Sequence, residues 1–340
     1  MSDFQNLYKP VQHISMLNDE NRMTFYYNKI YKNSIINNKI CCDLGSGTGI
    51  LALFALLGGA KHVYIIENQL SMIDIIRYYL QIHEIDTSKY TIMQGWSTEV
   101  TLPEKVDILI HELIGEWGNG EQGLSYVSEF KSRNLKNGGI IIPDIIEVQL
   151  TLQHTNELYE PKDKTSMFSS DMVDMKLSQL ISKLNEDKTN YNARSVSHKY
   201  ELNLQCDSAS YLSDTSDCNI EVIRYDLMND TFSEINEKSC CLSFSPSNKR
   251  IVSLLSTLKY YCSDDIKTFG DSWSNNGNWA KQQILIHPYV LGENEKITGI
   301  ITLKNNPRSR FSQMISITLN EKERSILNAT FVTSTAFDIS

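Results

Sequence analysis

The sequence predicts two fold classes in series, an α/β domain built on a parallel sheet and then a mostly antiparallel β domain. Three observations carry that reading. Short apolar runs alternate with helical segments between residues 39 and 143, the pattern of repeated βα units. A glycine turn, DLGSGTG at residues 43–49, follows the first of those runs and leads directly into an apolar helix. Beyond Pro143-Asp144 the runs become alternating and β-rich, separated by Asn, Asp, Gly and Ser.

The elements follow in order. The early stretch SMLNDENRMTFYYNKIY is a helix with Asn18 or Asp19 as its cap, and Met23, Tyr26, Tyr27, Ile30 and Tyr31 recur on one face. Arg22 falls at the helix start, the wrong end for a cation in the helix dipole, which suggests either an ordinary exposed surface arginine or one with a dedicated anionic partner. KICCDL, HVYIIE, YTIMQG, VDILIHE and GGIIIPD read as five strands. Helices are expected at 50–57, closed by Gly58-Gly59, and at 71–82, capped by Ser71. Right-handed crossovers then give a sheet buried on both faces. Its ligands belong at the carboxyl ends of the strands, where Gly45, Glu67, Gly95 and Glu112 fall. In the second half IIEVQLTLQ, KYELNLQ, CNIEVIRYDL, IVSLLSTLKYY, AKQQILIHPYVL, EKITGIITLK and FSQMISITL read as strands. A polar tract at about 156–197 interrupts them. Within it DMVDMKLSQLISKLNE reads as an amphipathic helix, on a protruding arm or a mobile loop.

The totals narrow the function classes. A chain of 340 residues has room for two cores, and its 41% apolar content is that of an ordinary globular protein. A net charge of -9 and a pI near 5.3 argue against the broad basic surface that nucleic-acid binding needs, and suit a cationic partner such as an arginine-rich tail. No apolar run is long enough to span a bilayer, and MSDFQNLYKPVQ lacks the basic and apolar regions of a signal peptide, so a cytoplasmic protein with no membrane partner is expected. The seven cysteines include the neighbours Cys41-Cys42 and Cys240-Cys241 but no C-x-x-C pair. Neither a disulfide framework nor a zinc or other metal site is expected.

Two stretches carry chemistry. The glycines of DLGSGTG let the backbone turn tightly and let a ligand approach, while the next helix offers free amides. The spacing G-x-G-x-G departs from the dinucleotide G-x-G-x-x-G, and the helix has no lysine-serine pair for a triphosphate. Glu67, about twenty residues on, is suited to accept hydrogen bonds from both hydroxyls of a ribose. Downstream, DILIHELIGEWGNGE runs from a buried strand into a loop loosened by Gly115, Gly118 and Gly120. It places Glu112 and Glu121 nine positions apart, able to close on one cation. A guanidinium keeps its charge at any physiological pH, and its planar fork pairs with carboxylates.

At these residues the chain resembles a known family. ICCDLGSGTGILALFALLGGAKHVYIIE is similar to the first motifs of class I S-adenosylmethionine-dependent methyltransferases. MLNDENR, that glycine block, STEVTLPEKVDILIHELIGEWGNGE, IIPD and GNWAKQQILI are, in that order, similar to the protein arginine N-methyltransferases. STEVT with ELIGE leans toward the branch that contains the monomethylating enzymes. The resemblance implies a Rossmann-like domain that binds S-adenosyl-L-methionine, converting it to S-adenosyl-L-homocysteine, followed by an antiparallel β-barrel with an inserted helical arm. It implies a helical cover of the cofactor site at 1–34, the cofactor domain at 35–145 and the barrel at 146–340, with a dimerisation arm at about 156–197 and a homodimer. Glu112 and Glu121 take the places of the family's two catalytic glutamates. Cofactor contacts are implied for Tyr8, His13, Met16, Arg22 (on the methionine carboxylate), Asp43, Gly45, Gly47, Glu67 (on the ribose), Ser97 and Thr98 (at the adenine edge). Substrate contacts are implied for Met16, Glu116, Asn278 and Trp279.

Two departures stand out. Gly277-Asn278-Trp279 replaces the usual threonine-histidine-tryptophan, and Asn278 cannot take up a proton, so a relay with Asp19 is lost. Gly123 stands where many relatives carry a bulky side chain, which suggests extra room beside the second glutamate. The leading expectation is methyl transfer to the guanidino group of arginine in a protein. Free L-arginine or another small guanidino metabolite is the alternative substrate, and a catalytically silent cofactor-binding regulator is an alternative of another class.

Overall fold

The computed structural model describes residues 13–153, 175–186, 199–200, 204–205, 221–245, 250–271, 282–290, 296–309, 312–322 and 324–333. The five apolar runs of the first half form β1 (Ile40–Leu44), β2 (His62–Glu67), β3 (Tyr90–Gln94), β4 (Val106–His111) and β5 (Leu135–Ile142), all parallel, in the spatial order β3-β2-β1-β4-β5. All five side chains of β1 are buried, as a strand covered on both faces requires. From β1 the chain moves outward to β2 and β3, then returns to pair β4 against the other edge of β1. That reversal leaves a crevice beyond the carboxyl ends of β1 and β4.

Helices cover this sheet. The described chain opens with α1 (His13–Leu17) and α2 (Glu20–Tyr26), and the latter runs on into a single π-helical turn at Tyr27–Tyr31. Asp19 caps α2 by accepting from the Arg22 amide at 3.1 Å. α3 (Ile50–Leu57) follows the glycine turn, and α4 (Leu70–Ile82) follows β2. The cap position of α4 is Gln69, with no side-chain bond, so Ser71 lies inside the helix rather than capping it. α5 (Gly123–Asn134), which the sequence reading left out, links β4 to β5.

The insertion contributes α6 (Leu177–Glu186), and this helix does not protrude. Met175, Leu177, Leu180 and Leu184 are buried, and the helix packs on α4 and α1 of the same chain. Tyr79 and His83 of the α4 end both reach the Met175 carbonyl, at 2.5 and 3.2 Å, and Lys183 lies over the Tyr78 ring at 5.5 Å. The remainder of the expected arm lies outside the described residues.

Among the described residues the second half is otherwise antiparallel, with a short helix, α7 (Phe232–Asn236), between strands. Its strands are β6 (Ile145–Gln153), β7 (Lys199–Tyr200), β8 (Leu204–Gln205), β9 (Glu221–Asp226), β10 (Glu237–Phe244), β11 (Arg250–Cys262), β12 (Asp265–Asp271), β13 (Gln282–Val290), β14 (Ile297–Asn305), β15 (Gln313–Glu321) and β16 (Arg324–Val332). One sheet runs β10-β14-β15-β16; the other runs β7-β8-β13-β11-β6-β9, with β12 hairpinned onto β11. In β15 every second residue is buried, the period expected of a half-buried strand. The halves are stitched together at α2. The buried ammonium of Lys29 reaches Asp265 at 2.8 Å across to the β11–β12 hairpin, and Phe25 and Tyr26 pack on Tyr260 with ring centroids 5.0 and 6.2 Å apart.

Leu180→Ala tests the seat of α6. Leu180 is fully buried, so truncation is expected to cost about 2–4 kcal/mol, read as a lower denaturation midpoint with faster hydrogen exchange in α4. An unchanged midpoint would contradict the packing of α6 on α4.

Candidate active site

A cavity of about 450 Å³ occupies the crevice at the carboxyl ends of β1, β2 and β4, within the size range of small-ligand sites. Its floor is the glycine turn. Gly47 has φ of 55°, and a Cβ there would lie 2.9 Å from the His13 ring, so α1 can lie close against the turn only because this position lacks a side chain. Beneath the turn, Asp43 accepts from the Ser46 hydroxyl at 2.6 Å and the Ala52 amide at 3.0 Å. Burial raises the Asp43 carboxyl to about 7 against the pull of these two bonds. At the end of β2, Glu67 accepts from the Gly47 amide at 2.8 Å and from the Asn68 and Gln69 amides at 2.8 and 2.9 Å. Burial still holds it above the ordinary carboxylate range.

The opposite wall is the loop after β4. Gly115 and Gly118 pair in both directions at 3.2 and 3.0 Å, closing a two-residue turn with Glu116 and Trp117 at its tip. The chain then doubles back until the Glu121 amide lies 2.8 Å from where a Gly115 Cβ would sit. This fold-back returns Glu121 to the cavity that Glu112 enters from the strand end.

The second half of the protein holds that loop in place. Trp117 is 2% exposed and packs on Phe331 of β16, with ring centroids 5.8 Å apart. The Asn119 side-chain amide donates to Ser125 at 3.0 Å, Ile235 carbonyl at 3.3 Å and Asn305 at 3.0 Å, while its oxygen accepts from the Leu124 amide. Gln122, with φ of 58°, points its amide at the carbonyls of Asn306, Ser309 and Ser312 in the β14–β15 turn. The Thr333 hydroxyl donates to Gly120 at 2.8 Å.

Arg22 is 4% exposed and stands between two acids, 3.3 Å from Glu112 and 3.6 Å from Asp19. Burial alone would lower its guanidinium, but Glu112 and Asp19 outweigh that and hold it above its usual value. Of the two readings of its place at a helix start, this is the one with dedicated anionic partners. Burial pushes Glu112 up to about 7; Arg22 pulls it down, while Asp19 and Glu121 push it further up. The influence of Glu121 is what two carboxylates sharing one cavity produce. Glu112 lines the cavity, and its Oε1 is buried without a hydrogen-bond partner. His13, half-buried with its ring against the glycine turn and near Arg22, is lowered to about 4 by desolvation and so is neutral.

Of the residues expected at a site, His13, Met16, Arg22, Gly45, Gly47, Glu67, Ser97, Glu112, Glu116 and Glu121 line this one cavity. Asp43 and Thr98 do not line it: Asp43 braces the turn from below and Thr98 is exposed. Tyr8, Asn278 and Trp279 lie outside the described residues. Gly123 lines the cavity but adds no room, because a Cβ there would meet the Leu113 carbonyl oxygen at 2.1 Å. The absent side chain lets α5 begin hard against the end of the β4 loop. Trp96, Gln69 and Tyr126 also line the cavity and were not singled out from the sequence; Trp96, directly after Gly95 at the end of β3, had the clearest signal.

These titrations oppose one another. A carboxyl whose folded pKa lies above its unfolded value favours the folded state at low pH, and that contribution is lost as pH rises through the folded value. Glu112 and Asp43 therefore withdraw stability between about pH 4 and 7, while His13, lowered to about 4, withdraws it as pH falls from about 6.5 toward 4. Glu112→Gln removes one of the acidic contributions. Its stability relative to the parent is expected to grow by up to about 3 kcal/mol from pH 5 to pH 8, measured by chemical denaturation. A difference that stays flat with pH would contradict the raised Glu112 carboxyl.

No family model matches the chain. Among curated proteins, it is 34% identical over 176 residues to protein arginine N-methyltransferase 1.1 of Arabidopsis thaliana, which is 51% of this chain and 45% of that one. It is 37% identical over 142 residues to protein arginine N-methyltransferase 1 of Schizosaccharomyces pombe, 41% of each chain. The chain thus spans less than half the length of these curated relatives. In fold it matches the Trypanosoma brucei PRMT1 enzyme-prozyme heterotetrameric complex with AdoHcy, with a TM-score of 0.72 and 17% identity over 95% of this chain and 98% of that one. It also matches Arabidopsis thaliana protein arginine methyltransferase 10, with a TM-score of 0.68 and 17% identity over 94% and 96%. The family resemblance carried by the motif blocks is borne out: in stretches of sequence, and in fold over nearly its whole length, this chain is similar to the protein arginine N-methyltransferases.

Proposed function

We propose that this protein is an S-adenosylmethionine-dependent N-methyltransferase acting on the guanidino group of arginine in proteins. The observation that carries the reading is the convergence of Glu112 and Glu121 on the cavity floored by the glycine turn. The cavity suits the cofactor on its own terms. Gly45 and Gly47, both at positive φ, keep the turn tight at its floor, Glu67 at the end of β2 offers a carboxylate suited to a ribose, and the Arg22 guanidinium, which also lines the cavity, would take the methionine carboxylate. When bound, that cofactor supplies a methyl group on a sulfonium, a good leaving group.

The residues of the chain do the rest by position and charge. Glu112 and Glu121 pair with the planar guanidinium, fix its plane and draw its positive charge toward one nitrogen, which leaves another richer in electrons. Burial and its acidic neighbours hold the Glu112 carboxyl up at about 7. A guanidinium arriving beside Glu112 favours the carboxylate and offsets the cost of burying its charge. His13, neutral, covers the glycine turn without adding a cation next to the sulfonium. On the same reading the chain divides at about residues 34 and 145, the two antiparallel sheets form the family's barrel, and the enzyme works in the cytoplasm as a homodimer.

Glu112→Gln and Glu121→Gln test the assignment. Each is expected to lower methyl transfer by about 100-fold or more, since each removes a charge that the reacting guanidinium meets. Cofactor affinity by calorimetry should hold or tighten in Glu112→Gln, because Arg22 loses a competing partner. Radiolabel transfer is compared on an arginine-glycine-rich peptide and on free L-arginine. Label only on the free amino acid would replace the protein substrate, and tight cofactor binding with label on neither would leave the silent regulator.

A further inference from the structure

His111 is the last residue of β4, immediately before Glu112, and it is fully buried. Its ring spans two partners. Nε2 lies 2.9 Å from the Pro143 carbonyl, and Nδ1 lies 3.4 Å from the Leu113 amide. A carbonyl only accepts and an amide only donates, so both contacts are met by one species, the neutral imidazole with its proton on Nε2. A second proton would set an N–H against the Leu113 N–H. Burial lowers His111 to about 4, with the Pro143 carbonyl pulling the other way, which keeps the ring neutral at physiological pH.

Leu113 is the residue through which this ring acts. Its side chain fills the space over Gly45, where a Cβ would lie 2.8 Å from Leu113 Cδ2. Its carbonyl oxygen lies 2.1 Å from where a Gly123 Cβ would be, at the start of α5. On the other side of Glu112, the His111 carbonyl accepts from the Tyr26 hydroxyl of α2 at 2.8 Å. The backbone is therefore pinned immediately before and immediately after Glu112, and the pin after it is the imidazole.

We propose that His111 is a positioning residue for methyl transfer: by accepting from the Leu113 amide, its Nδ1 sets the peptide that carries Glu112 against the glycine turn, while the Nε2 contact with the Pro143 carbonyl fixes the tautomer that leaves Nδ1 free to accept. The kinetic part of this inference rests on the methyltransferase reading. The positional part stands on the contacts alone.

Three variants separate the two bonds. In His111→Asn the amide oxygen falls near Nδ1 and keeps an acceptor for Leu113. In His111→Gln the amide nitrogen falls near Nε2 and keeps a donor for Pro143. His111→Leu keeps the bulk and loses both. Expected for Asn is kcat within about 3-fold of the parent, and for Gln and Leu a loss of about 10- to 100-fold with cofactor affinity within about 3-fold. The Glu112 carboxyl, followed by carbon-13 NMR titration, should keep its raised value in Asn and move in Gln and Leu. Equal kcat in Asn and Gln, or activity losses that simply track thermal midpoints, would overturn the inference. If the parent protein methylates no guanidino substrate, the enzymatic reading falls, and the Glu112 titration still decides the role of His111: an unmoved titration in His111→Leu ends it.

Discussion

Two carboxylates do not share a cavity without being held there. Each repels the other, and a loop rich in glycine has the conformational freedom to let them part. What opposes that separation is the contact between the loop after β4 and the antiparallel half: Trp117 against Phe331, the Asn119 amide among Ser125, Ile235 and Asn305, and Gln122 at the turn between β14 and β15. The parallel sheet brings Glu112 to the site, and the second half keeps Glu121 beside it. This division explains why the two halves meet at this place. The loop has too little apolar surface to fix itself, so its order is borrowed from side chains that the later strands supply.

The same arrangement sets the electrostatics. Arg22 and Asp19 are withdrawn from water and Glu112 is half-buried beside them, an environment in which a charge is stable only in company. Three acids, Asp19, Glu112 and Glu121, act around a single arginine, and the imbalance appears in Glu112, which burial and its acidic neighbours raise to near neutrality. A cavity in that condition is suited to an incoming cation. Binding one relieves a tension already present, so affinity and pairing geometry come from the same groups.

Much of this could be read in the sequence, for reasons that can be named. The five parallel strands stood out because strands buried on both faces are continuous apolar runs, and the glycine turn because it breaks one such run abruptly. Three β strands were missed. β10 reads EKSCCLSF and exposes the polar face Glu237, Ser239 and Ser243, β12 reads DIKTFGD, with only two large apolar residues, both exposed, and β16 follows its partner across a turn too tight to separate it in the sequence. α5 was missed because its sequence, GLSYVSEFKSRN, carries few strongly apolar positions. At the site, the two glutamates and Glu67 were legible from spacing. The bond between Arg22 and Glu112 was not, since it joins residues 90 positions apart, and Gly123 was misjudged because the nearness of the Leu113 carbonyl is a fact of packing.

The seat of α6 has a consequence for assembly. Its leucines and Met175 are buried against α4 and α1, and α1 carries His13 and Met16 over the glycine turn. A neighbouring molecule can reach that face of α4 in one of two ways: by a reciprocal exchange in which each copy lends its helix to the other, or by evicting the helix and loosening the roof of the cavity. The first leaves every contact intact with a different owner; the second ties quaternary structure to the occupancy of the site.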